Sequence, residues 1–289
     1  MKMARSELEV VALVEAVREH RHFRQLACYS IDALSKQLAP PNSRWREYVD
    51  LAIENSAAEV IIDVLALHPD EDVLARATAC LSRLAVNGAT AEIITERGGV
   101  ETILASIDNL RGKRLAELDC EGQALELLDK LCDHTHLLSR VAADSTERLL
   151  SILTEQCESS SETSARNLKL CASILEKMSR SGAGRSEAMA IAAINALQVL
   201  AAVKPGQGAD DIAMVMNLLT AISRCAEIDP CCYALKSSNA VETLVQVSMP
   251  HSRGARTKGV MSLAYFAVPT RCSITSLMRR RWHASQPSC

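Results

Sequence analysis

Aromatic residues are scarce in this chain: two Phe, two Trp and four Tyr in 289 residues. Apolar residues nevertheless make up 48%, so the apolar content is carried by Ala, Leu, Ile and Val. That composition suits many thin helix–helix contacts better than one thick core. Glycine and proline are also few, at eleven and eight, and they fall between stretches of helical pattern, which makes an all-helical chain the natural reading. No run reaches the eighteen or so apolar residues that a membrane span requires. The first ten residues carry Lys2, Arg5, Glu7 and Glu9 and lack the apolar core of a signal peptide. The net charge of −3 offers no overall field for nucleic acid or membrane.

Recognisable chemistry is missing as well. There is no phosphate loop ending in Gly-Lys-Ser/Thr, no dinucleotide fingerprint, no nucleophile elbow and no zinc-protease helix. Residues 182–186, Gly-Ala-Gly-Arg-Ser, lack the strand and the lysine of a phosphate site and read as a turn between helices. Cys132, His134 and His136 place three potential ligands within five residues. Alternate residues diverge by about 200° on a helix, and a tetrahedral zinc site needs a fourth ligand, so a His-rich helix end is the simpler reading. Cys225, Cys231 and Cys232 flank Asp229-Pro230, another helix terminus. The sequence therefore predicts no enzyme, no cofactor and no metal site.

What the chain does have is a register. Leu34, Leu81, Leu128, Leu175, Leu219 and Leu263 follow one another at intervals of 47, 47, 47, 44 and 44 residues. Most sit in one local pattern, as in Ala77-x-x-Cys80-Leu81-x-x-Leu84-Ala85 and Cys171-x-x-Ile174-Leu175-x-x-Met178-Ser179. A helical chain with such a period is a stacked solenoid, in which each repeat buries its apolar face against its neighbours. The fold expected is all-α, a right-handed α-solenoid of about six repeats over residues 1–268, followed by a basic, disordered tail at 269–289. Arg279, Arg280 and Arg281 lie in that tail. Eleven cysteines read as small core residues of a reduced, cytoplasmic protein, with the nucleus also compatible. Cys80, Cys132 and Cys171 fall inside the repeated pattern.

The clearest copy predicts a short helix ending at Gly98-Gly99, a second helix from Val100 to Ile107, and a third over residues 114–132. Glycine at that corner accepts the left-handed conformation a sharp turn needs. Residues 241–245 nearly repeat residues 100–104. The polar stretches 158–164 and 204–208 are expected to be loops.

Three helices per unit, a double-glycine corner and a last helix of the form A-x-x-A-L-x-x-L-A resemble the armadillo repeat, over about residues 7–268. The resemblance implies a scaffold that binds extended peptides or partner proteins along a concave groove lined by the third helices. The family's best-known members hold the peptide backbone with an Asn two residues after the repeat leucine. Here those positions are Lys36, Arg83, Lys130, Lys177, Ala221 and Tyr265. Import receptors of the family place Trp four residues earlier, where this chain has Asp32, Ala79, Glu126, Ser173, Asn217 and Met261. A receptor for basic import signals is therefore not expected.

Lys36, Arg83, Lys130 and Lys177 form one cation per unit on the face that should be concave. Packed helices lie about 8–10 Å apart and an extended peptide advances roughly 3.3 Å per residue. Acidic residues at every third position of a partner segment would meet each rung in turn. Two readings stay open. The cations line a groove for an acidic segment, or they are exposed helix-face residues in weak intrahelical pairs, Asp32–Lys36 and Glu126–Lys130. The function expected is a non-catalytic protein–protein interaction scaffold. The alternative is a structural subunit held side by side in a cytoskeletal or axonemal assembly.

Overall fold

The computed structural model describes residues 5–40, 42–110, 120–158, 162–203, 209–238, 240 and 243. Thirteen α-helices and no strands occur among the described residues. None of the described helices is long and apolar enough to cross a membrane. The chain divides into two compact units, Met1–Ser145 and Thr146–Cys289. The repeat around Leu263, the near-copy at 241–245, the loop at 204–208 and the tail at 269–289 fall wholly or mostly outside the described residues.

The first unit begins with α1 (Arg5–Glu19) and α2 (Arg24–Gln37). Two triplets follow: α3 (Trp45–Glu54), α4 (Ala57–Leu67) and α5 (Glu71–Leu84), then α6 (Gly88–Glu96), α7 (Gly99–Leu110) and α8 (Cys120–Leu131). The helices that carry the leucine register pack side by side, α2 on α5 and α5 on α8. Leu34, Leu81 and Leu128 are all buried in this contact. Residues 114–119 of the expected third helix lie outside the described residues.

Helix α5 shows how the sequence sets these elements. Asp70 caps it in extended conformation, and its carboxylate accepts from the backbone N–H of Asp72 and Val73 at 3.1 and 3.2 Å. Glu71 and Asp72 occupy the positive first turn and Arg83 the negative last turn, as the helix dipole favours. Val73, Leu74, Ala77, Cys80, Leu81 and Leu84 make the buried stripe. Asn87 then caps α6 through the N–H of Ala89 at 3.0 Å.

The corner expected at Gly98-Gly99 is present, with Gly98 at φ +70°. At Gly99 a Cβ would come within 2.7 Å of the Ile94 carbonyl oxygen, so the close packing there also requires glycine. The corresponding corner between α3 and α4 is made by Ser56 at φ +61°, a conformation the sequence does not announce.

Helix α2 packs on α1 as well as on α5, yet it carries an exposed leucine. Leu26 is 47% exposed, whereas Val73 and Cys120, one and two periods on, are 0% and 2% exposed.

The second unit contains α10 (Glu162–Met178), α11 (Glu187–Val203), α12 (Ala209–Cys225) and α13 (Asp229–Ser237), preceded by the later part of α9 (Leu138–Glu158). Helices α10 and α11 both pack on α12, and α11 also meets α13. Leu175 and Leu219 are buried. Residues 182–186 form the expected turn, where the Ser181 hydroxyl accepts from the N–H of Gly184 and Arg185 Nε donates to the Ser179 carbonyl at 2.7 Å. Pro230 opens α13.

Candidate functional site

A helix leaves its last four carbonyls without partners inside the helix. At the end of α2, the following backbone N–H groups serve Leu34 and Lys36. The Ser35 carbonyl between them receives Arg83 Nη1, which also donates to the Ser35 hydroxyl. At the end of α5, backbone N–H groups serve Leu81 and Leu84. The Ser82 carbonyl receives Lys130 Nζ at 2.9 Å, and the Ser82 hydroxyl receives it at 2.7 Å. In the second unit the same arrangement returns at the end of α10. There Leu175, Lys177 and Met178 are served by backbone N–H groups, and Arg224 Nη1 donates to the Glu176 carbonyl at 3.0 Å and to its carboxylate at 2.7 Å.

In each case a cation reaches back 48 residues to a carbonyl in the negatively polarised last turn of the preceding register helix. Each such clasp joins neighbouring helices through one charge-assisted donor.

This changes the reading of the basic ladder. Only Lys36 is exposed as expected of all four, with 74% of its side chain accessible and its ammonium 2.6 Å from Asp32 Oδ2. Arg83, Lys130 and Lys177 are only partly exposed. For Arg83 and Lys130 the reason is the clasp. Burial pushes the Lys130 ammonium below its usual pKa. The expected Asp32–Lys36 pair forms, whereas Lys130 donates across the helix boundary to Ser82.

Arg224 is the residue the leucine register missed. Following Leu219 leads to Ala221, but steps of 47 from Lys36 run through Arg83, Lys130 and Lys177 to Arg224. Burial pushes the Glu176 carboxyl up. Hydrogen bonds and charge from Arg180 and Arg224 outweigh that and hold it below the ordinary glutamate value.

Between α2, α5 and α8 lies an open cavity of about 350 Å³. Lys36 and Arg83 line it, together with Asp32, Asp72, Arg76 and Gln123. Lys130 is not part of this lining, and Lys177 belongs to the second unit. Arg76 stands between two carboxylates, 3.7 Å from Asp32 and 3.6 Å from Asp72, and its Nε is buried with no hydrogen-bond partner. It lies seven residues before Arg83, one step off the register followed in the sequence.

His134 Nε2 lies 3.0 Å from the Ala85 carbonyl oxygen, so that nitrogen carries the proton, and the His136 ring sits edge-on at 6.1 Å. Cys132, Cys225 and Cys231 are buried thiols, while the side chain of Cys232 lies outside the described set. Among the described residues no group of three or more His, Cys, Asp or Glu is placed to hold a metal ion.

No protein-family model matches the sequence, and no curated protein matches it.

Proposed function

We propose that this chain is a non-catalytic interaction scaffold, a right-handed α-solenoid of the armadillo type with about six repeats, which docks an extended acidic segment of a partner protein. The observation that carries this reading is the cavity of about 350 Å³ along the register helices α2, α5 and α8, whose lining combines the cations Lys36, Arg76 and Arg83 with the Gln123 amide. A volume of this order falls within the usual range of ligand sites. It accommodates a side chain with its flanking backbone, and an amide can both donate to and accept from a peptide group. The 48-residue clasps support the solenoid part of the reading, because they give successive helices one repeated mode of attachment. Specificity would come from shape and a few charges on a preformed surface. The cytoplasm is the compartment that fits the free cysteines.

The test is selection from a random-peptide display library, followed by the substitution Ala79→Trp. Ala79 lines the cavity and carries no charge, so the variant fills the site without altering its field. Selected peptides should be rich in Asp and Glu and should lose binding to the variant. Unchanged affinity for Ala79→Trp would reject the groove.

The exposed Leu26 of α2 favours a second reading, a structural subunit packed side by side in a larger cytoskeletal or axonemal assembly. Leu26→Glu should then abolish self-association or co-assembly measured by sedimentation, and leave peptide binding intact.

A further inference from the structure

We infer that Arg76 is the anion receptor of this cavity, and that its ligand is a single carboxylate, an Asp or Glu side chain on the docked segment, rather than a phosphate group. This rests on the docking reading above and names the chemistry that the site selects.

Three observations converge on Arg76. The other cations of the lining are already engaged: Arg83 donates to Ser35 and Lys36 to Asp32 at 2.6 Å. Arg76 instead faces Asp32 and Asp72 at 3.7 and 3.6 Å, separations at which charges attract but no hydrogen bond forms. Its Nε is buried and unpartnered. A guanidinium offers five N–H donors in a planar fork that matches a carboxylate bidentately. The neighbouring acids face its Nη1 and Nη2 from both sides at distances too long for a hydrogen bond to either.

The charge of the lining selects the ligand. Lys36, Arg76 and Arg83 are opposed by Asp32 and Asp72, so three cations less two carboxylates leave one positive charge. One carboxylate neutralises that surplus. A phosphate near its dianionic form overshoots it and meets repulsion from both aspartates. The carboxylate would sit beside Gln123, whose amide is placed to meet the adjoining backbone.

The experiment titrates the full chain with fluorescent poly-L-glutamate at low salt, with poly-L-glutamine as the neutral control and inorganic phosphate and free glutamate as competitors. Arg76→Gln should weaken poly-L-glutamate binding about tenfold, the loss of one well-placed charged contact. Arg76→Lys, which keeps the charge but not the fork, should recover only part of it. Arg97→Gln removes an exposed cation outside the cavity and should change affinity less than about twofold. Circular dichroism of each variant reports its folding independently. Equal losses for Arg76→Gln and Arg97→Gln, displacement by phosphate at lower concentration than by free glutamate, or no binding of poly-L-glutamate by the native chain would each overturn the inference. Loss of binding in Ala79→Trp with none in Arg76→Gln would leave the groove standing and remove Arg76 as its receptor.

Discussion

Lys130 donates to the carbonyl and the hydroxyl of Ser82, 48 residues earlier, at 2.9 and 2.7 Å. Arg83 does the same to Ser35, and Arg224 to the backbone and carboxylate of Glu176. The basic register thus has a structural use, which makes exposure and charge alone a poor guide to which of its members face a ligand. Lys36, paired with Asp32 on its own helix, stays exposed.

Removing a clasp should destabilise its unit. Lys130→Ala leaves the Ser82 carbonyl without its donor, and the expected loss is about 1–3 kcal/mol, the range for a buried acceptor left without its partner. Lys36→Ala, on the same register but exposed, should cost less than about 0.5 kcal/mol. Urea denaturation of the two variants checks the contrast, and equal losses would show that the clasps carry no stability.

The Arg224–Glu176 clasp should be visible as a dependence on pH. Glu176 is held below its ordinary value of 4.5 in the folded chain, so the folded state binds that proton less readily than the unfolded one. Its contribution is present above about pH 4.5 and is lost as the pH falls through the folded value. Arg224→Ala should flatten the acid limb of the stability profile between neutral pH and about pH 3. An unchanged acid limb would mean that Arg180 alone holds the carboxylate.

Two corners should respond in opposite directions to glycine. Ser56 adopts φ +61°, where a side chain costs roughly 1–2 kcal/mol and glycine returns part of that as unfolded-state entropy. Ser56→Gly should therefore stabilise by about 0.5–1 kcal/mol. Gly98→Ala places a Cβ at φ +70° and should destabilise by about 1 kcal/mol. Thermal melting of the pair distinguishes a conformational effect from a packing one, since a Cβ on Gly98 approaches nothing closer than 3.6 Å.

Thiol chemistry should report opening rather than exposure. Burial pushes Cys80 and Cys225 up to about 12, so at neutral pH hardly any thiolate is present to react. Labelling of these two cysteines by a disulfide reagent should be slow in the native chain and should accelerate with denaturant in step with unfolding. Rapid native labelling would contradict the burial of either site.

Much of the fold was legible because helices advertise their buried stripes. Leu81 with Ala77 and Leu84 spelled the inner face of α5, and Gly98-Gly99 the corner two helices on. The all-helical class followed from these. Ser56 escaped because a left-handed serine looks in sequence like any polar residue before a helix. The cavity was half legible: Lys36 and Arg83 were on the register followed, Arg76 was not. The clasps were hidden for a different reason. Their acceptor is a backbone carbonyl, which every residue has, so no residue type marks it. Only the donors leave a trace, in the equal steps from Lys36 to Arg224, and a change of spacing at Leu219 drew attention away from the last of them.

Each clasp also points one way along the chain, from a later cation to an earlier carbonyl. During synthesis the Ser35 carbonyl must stay hydrated until Arg83 has emerged, and that of Ser82 until Lys130 has. At translation rates of about 5–20 residues per second, that is a wait of roughly 2–10 s per rung. The earlier helix is thus formed first and fastened afterwards, so the seam between neighbours closes in the order in which the ribosome delivers them.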